Sequence, residues 1–255
     1  MAKQAGFQQN RLQTNPFLLT SYQKSEVSSP DLIIYIEGDG RTWITRHRLS
    51  SDPTPRQPLA LQLALKDNSP SVAYLARPCQ YTPLTLDKAC VPAVWSDLRF
   101  SETVIQSMNE AIQQLKINAK AKRLHLIGFS GGAAITLLVA ARRNDVVSLR
   151  TVAGDLDPVK LGQYHHTTPL QGSLDPQGVL PQLRHIPQYH FSGEKDTVVP
   201  PFIAKDFVRW MIQHGSHCAQ TFVLKNATHH EGWAKAWPTL LNLPLSCDKT
   251  LPKDS

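Results

Sequence analysis

The 255-residue chain has no run approaching the roughly 20 apolar residues that a bilayer-crossing helix needs, so no spanning segment is expected. No internal repeat, heptad run or low-complexity tract appears, which sets aside solenoid, coiled-coil and tail-like organisations. The opening, MAKQAGFQQNRLQ, lacks the apolar centre of an export signal. Cysteine is sparse: Cys79, Cys90, Cys218 and Cys247, none at CxxC spacing, which argues against a zinc site. Acidic residues are also in deficit, with 20 Asp and Glu against 27 Lys and Arg, for a formal charge of +7. A nucleic-acid face would need those cations on one stripe, because affinity comes from neutralising successive phosphates. Here the basic clusters are short (Arg46-His47-Arg48, Lys120–Arg123, Arg142-Arg143), so a solvated basic surface is expected and no nucleic-acid partner. Peripheral attraction to an anionic membrane surface stays open.

The four cysteines fall in two sequence-local pairs. Of the three pairings they allow, Cys79–Cys90 with Cys218–Cys247 is the expectation. Such bridges belong to an oxidising compartment, so an exported or periplasmic protein with its signal removed is expected. The alternative is a cytoplasmic protein with four thiols.

What the chain does have is alternation. Apolar runs at 31–36, 71–76, 123–129, 146–153, 187–192 and 220–225 read as strands. Between and after them, 58–66, the segment from Ser101, 131–143, 200–213 and 233–243 read as helices, with Ser101 placed as an N-cap. Segment 16–24 adds antiparallel edge strands, and 154–186 reads as a long irregular insertion, either loop or cap. Strand–helix alternation predicts one α/β domain over 1–255: a mainly parallel central sheet with helices on both faces. Its site should lie in the loops at the carboxyl ends of the strands. The nineteen prolines collect in 53–58, 78–92 and 169–187, which read as ordered loops.

One of those loops is Gly128-Phe129-Ser130-Gly131-Gly132, a G-x-S-x-G between an apolar strand and an apolar helix. That context makes Ser130 a candidate nucleophile, lifted on a sharp turn with a helix N-terminus behind it. A serine needs a base and an orienting acid. The loop Gly193-Glu194-Lys195-Asp196 offers Asp196 as the acid, with Glu194 and Lys195 in a solvated turn. Asp155 and Asp157, after the preceding strand, are its rivals. Histidine follows in Thr228-His229-His230-Glu231-Gly232-Trp233, where His229 is favoured over His230 as the base and a His-His-Glu metal site is the competing reading. Two N–H donors should hold an oxyanion: Gly131 and, from Glu37-Gly38-Asp39-Gly40, Asp39, with its carboxylate turned away. Tyr81, Trp95, Leu98, Phe100, Tyr164 and Leu170 suggest either apolar walls for an acyl chain or loop residues packed on the body of the domain.

IYIEGDG, HLIGFSGG, GEKDTVVPP and NATHHEGW, in that order over roughly 30–240, resemble the α/β-hydrolase superfamily. With TVAGDLDP and YLARPCQY they also resemble bacterial hydrolase-like proteins often made as exported lipoproteins. Glu37-Gly38 stands where His-Gly is more usual. The resemblance implies the α/β-hydrolase fold and a Ser130-Asp196-His229 triad cleaving an ester, thioester or related acyl bond of a small molecule, with no metal or organic cofactor. It also supports export and the Cys79–Cys90 bridge. An acyltransferase, or a non-catalytic binding protein retaining the fold, are the alternative functions.

Overall fold

The computed structural model describes residues 2–25, 29–45 and 47–247; Met1 and Arg46, which the opening segment and the first basic cluster include, lie outside them. The chain begins with strands β1 (Gln8–Gln13), β2 (Leu18–Ser25) and β3 (Asp31–Ile36), then a short hairpin, β4 (Trp43–Thr45) and β5 (Arg48–Leu49). Helix α1 (Leu59–Ala64), β6 (Ser71–Leu75), α2 (Glu102–Asn118), β7 (Arg123–Phe129) and α3 (Gly131–Ala140) follow. The second half runs β8 (Val146–Val152), α4 (Pro158–His165), α5 (Leu180–Leu183), β9 (Gln188–Gly193), α6 (Phe202–Gln213), β10 (Ala219–Leu224) and α7 (Trp233–Leu241).

Eight strands form one sheet in the order β1-β2-β6-β3-β7-β8-β9-β10. The six from β6 to β10 are mutually parallel, while β1 and β2 add antiparallel strands at one edge. Side chains alternate across it. Leu32, Ile34 and Ile36 of β3 and Leu124 and Leu126 of β7 face a core shared with α2, α3 and α6. Tyr35, Ile127 and Phe129 face the opposite core with α1 and α7. This is the period-two pattern of a sheet covered on both faces. Every residue of α3 is buried, as expected for a helix of mean apolar character lying on the central strands. The Ser101 hydroxyl accepts the Val104 N–H and caps α2.

One expectation needs correction. The segment 154–186 is not irregular throughout: it contains α4, a 3-10 turn at Pro176–Val179 and α5. Its start signals are local. Asp157 Oδ1 accepts the Lys160 N–H at 2.8 Å with Pro158 opening α4, and Asp175 Oδ1 accepts the Gln177 N–H at 2.9 Å with Pro176 behind it. Strand β1 and the β4–β5 hairpin were also not anticipated. β1 is mostly exposed, so QQNRLQ carries no apolar signal. The cysteine pairing is as expected, Cys79–Cys90 and Cys218–Cys247. No described helix is long and apolar enough to cross a membrane.

A buried polar chain ties the central sheet to its last helix. Tyr35 Oη donates to Asp67 Oδ2 at 2.7 Å and accepts the Trp237 Nε1–H at 2.9 Å. Tyr35→Phe removes the shared hydroxyl and strands two buried partners, a cost of about 1–3 kcal/mol. Urea unfolding should show a lowered midpoint with an unchanged slope.

Candidate active site

The G-x-S-x-G turn joins β7 to α3, and its geometry follows from close packing. A Cβ on Gly128 would stand 2.5 Å from the Gly132 carbonyl oxygen, and one on Gly132 would stand 2.5 Å from that of Ile36. Only hydrogen fits where the helix start crosses the strand ends. Ser130 between them has φ 50° and ψ −125°, a left-handed backbone that non-glycine residues rarely adopt. Hydrogen bonds hold it there. Its N–H donates to the Val152 carbonyl and its own carbonyl accepts the Asp155 N–H, both at 3.0 Å.

The structure brings three of the sequence-derived residues into one line. Ser130 Oγ lies 3.0 Å from His229 Nε2, and His229 Nδ1 lies 2.9 Å from Asp196 Oδ2. Asp196 follows β9, His229 follows β10, and both are buried. The second Asp196 oxygen accepts the N–H groups of Val198 and Val199 at 2.9 and 2.8 Å, which fixes the carboxylate. His230 lines the same cleft but makes no hydrogen bond to Ser130 or Asp196 among the described residues. Asp157 is spent as the cap of α4, and Asp155 makes no bond to His229. Glu194 and Lys195 are exposed. No group of three His, Cys, Asp or Glu among the described residues is placed to hold a metal.

Gly131 and Asp39 also converge on Ser130. Gly131 is the first residue of α3, so its N–H has no partner within the helix. The Asp39 side chain, however, does not turn away. A Cβ on Gly131 would meet Asp39 Oδ1 at 2.1 Å, so the carboxylate packs directly over the residue after the serine. Its charge is met there by Arg77, whose Nη1 donates to Oδ1 at 2.9 Å, and by Arg99, whose Nε lies 3.4 Å from Oδ2. Burial raises the Asp39 pKa, but Arg99 and Arg77 outweigh it, and the carboxyl stays below its ordinary value.

A second brace holds the same loop. Gln80 Nε2 donates to the Gly38 carbonyl at 3.0 Å, while Gln80 Oε1 accepts the Arg77 N–H. Glu37 is buried beneath it, accepting the Gly38 N–H at 3.0 Å, and burial pushes its carboxyl up to about 7. Neither Arg77 nor Gln80 was expected at the site. The signal available was YLARPCQY itself, a buried-strand end followed by a cysteine and two polar side chains.

Ser130 and His229 open into a cleft of about 1620 Å³. Of the six suggested wall residues only Leu170 lines it. Trp95 and Phe100 are buried in the core, Tyr81 donates to the Pro55 carbonyl, Leu98 lies against Gly172, and Tyr164 packs on Phe202. The apolar lining comes instead from Trp43 and Ile44 of the hairpin, Val159 and Leu161 of α4, and Leu174 and Val198.

This architecture is the α/β-hydrolase fold. No protein-family model matches the chain, and no curated protein matches it in sequence. Solved structures do match in fold. An acylaminoacyl peptidase of Pyrococcus horikoshii superposes with a TM-score of 0.67 at 12% identity, covering 97% of this chain. The chain spans only 43% of that peptidase's length. An esterase of Pyrococcus furiosus gives 0.62 at 15% identity, over 94% of this chain and 90% of the esterase. An alpha-beta serine hydrolase homologue from Coxiella burnetii gives 0.56 at 17%, over 92% and 94%. At these identities the likeness is one of fold.

The Glu37 carboxyl generates a pH prediction. Its folded pKa is raised, so the folded state keeps a proton that the unfolded state has released. Its stabilising contribution is complete below about pH 4.5 and is lost as pH rises through 7. Relative to wild type, Glu37→Gln should therefore gain about 1.4 kcal/mol per pH unit across that window and level off above it. Urea unfolding at stepped pH reads the difference.

Proposed function

We propose that the protein is a serine hydrolase cleaving a carboxylic ester or related acyl bond through an acyl-enzyme on Ser130. The observation that carries this reading is the unbroken Asp196–His229–Ser130 chain, 2.9 and 3.0 Å, with its serine on a strained turn facing a cleft. His229 Nε2 takes the Ser130 proton as Oγ attacks the carbonyl carbon. Asp196, held by two backbone N–H groups, keeps the Nδ1–H tautomer and offsets the imidazolium charge. The N–H groups of Gly131 and Asp39 receive the developing oxyanion, and pairing with Arg77 keeps the Asp39 carboxylate from opposing it. The imidazolium then protonates the leaving alcohol, and water, activated by the same histidine, releases the acid.

The esterase and peptidase likenesses add support at the level of fold, and the apolar residues along the cleft suit an acyl chain. Both disulfides support work in an oxidising compartment, outside the cytoplasm. Hydrolysis of 4-nitrophenyl esters of graded chain length should occur with wild type. With Ser130→Ala, folded by circular dichroism, kcat should fall by about 10³-fold or more. Undiminished turnover in that variant would remove the reading.

A further inference from the structure

The cleft holds a cation whose hydrogen-bonding capacity the mechanism leaves unused. Arg99 lines it together with Ser130 and His229, and its side chain is four-fifths buried, at 20% exposure. Nε has no hydrogen-bond partner, its nearest acceptor being Asp39 Oδ2 at 3.4 Å. Nη1 and Nη2 make no hydrogen bond among the described residues either. The guanidinium is nevertheless positioned, because it lies 5.2 Å from the centroid of the Phe100 ring. Arg77 differs: it is buried, and its two terminal nitrogens reach Asp39 Oδ1 and the Arg99 carbonyl. The Asp39 charge is thus already engaged. The remaining nearby carboxyl is Asp155, buried, with Oδ1 lacking any partner, and burial pushes it up to about 7. Of the Arg99 nitrogens only Nε is buried without a hydrogen bond, while the terminal nitrogens stay open to the cleft and can take an acceptor that arrives there.

We propose that Arg99 anchors a carboxylate on the substrate, so that the bond cleaved at Ser130 belongs to an ester carrying an acidic group near the scissile carbonyl. This rests on the hydrolase reading above. Proximity supports it. The Asp39 carboxylate that Arg99 flanks also occupies the space beside Gly131, so the guanidinium sits one side chain away from the oxyanion position. The planar fork of N–H groups matches a carboxylate in bidentate geometry. Charge selects the class further. With Asp155 protonated, below about pH 7, two arginines against Asp39 leave a single positive charge, which a monoanion balances. A dianionic phosphate would overfill the site and meet Asp39.

The test compares matched esters: mono-4-nitrophenyl adipate against 4-nitrophenyl hexanoate for the acyl side, and 4-acetoxybenzoate against its methyl ester for the alcohol side. In one pair, wild type should favour the carboxylate by about tenfold or more in kcat/KM. Arg99→Gln should bring that ratio to about one, and Arg99→Lys should retain part of it. Working with ratios separates loss of recognition from general damage to the variant. A ratio at or below one in both wild-type pairs, a preference unchanged in Arg99→Gln, or a stronger preference for a phosphate-bearing ester would overturn the proposal. Calorimetric binding of monomethyl adipate and dimethyl adipate to Ser130→Ala provides an arm that needs no turnover. Tighter binding of the monoacid, lost on adding Arg99→Gln, supports the anchor even if no ester is cleaved, and equal binding overturns it. Failure of every ester in wild type would count against the hydrolase reading instead.

Discussion

The geometry of the candidate site depends on one backbone constraint: Ser130 is held at φ 50° between the end of β7 and the start of α3. The turn can exist only because α3 crosses the ends of β7 and β3 closely enough to exclude side chains at Gly128 and Gly132. That crossing is in turn secured by the burial of all ten α3 residues. The left-handed conformation is unfavourable for serine, and the surrounding core overcomes it. Its result is geometric: the hydroxyl leaves the sheet where the loops after β9 and β10 deliver Asp196 and His229.

The second layer of organisation is electrostatic. The loop after β3 places a carboxylate, Asp39, beside the point where negative charge would develop, an arrangement that would oppose catalysis if unpaired. Arg77 cancels that charge from the loop after β6, and Gln80 of the same loop grips the Gly38 carbonyl. Cys79 lies between these two residues and is bonded to Cys90. The loop that braces the Gly38–Asp39 backbone is therefore itself covalently closed. The disulfide and the side chains that hold Gly38 and Asp39 share four residues of chain, Arg77 to Gln80.

Much of the site was legible in the sequence because its signals are local. G-x-S-x-G between apolar runs, a glycine-bounded acidic loop and a histidine before the final helix each announce themselves within ten residues, and parallel strand order then unites them. His229 was favoured over His230 from the sequence, and His229 is the ring that contacts both Asp196 and Ser130. Arg77 and Arg99 stayed hidden: their partner, Asp39, lies 38 residues before Arg77, so their role arises only when two loops close on each other. The cleft walls failed similarly. Trp95 and Phe100 could read as lining or as packing and are core, while lining came from the β4–β5 hairpin and α4, whose exposed Trp43 and Val159 gave no amphipathic signal. Polar β1 was invisible because an edge strand buries little.

In the proposed reaction Ser130 is activated by its contact with His229, which Asp196 orients. The most direct measurement is reaction of the folded protein with a fluorophosphonate, followed by intact mass and peptide mapping of wild type and His229→Ala. A single phosphonyl adduct should form on Ser130 in wild type, and far more slowly when the histidine is lost. An adduct elsewhere, no adduct on well-folded wild type, or equal labelling in His229→Ala would contradict it.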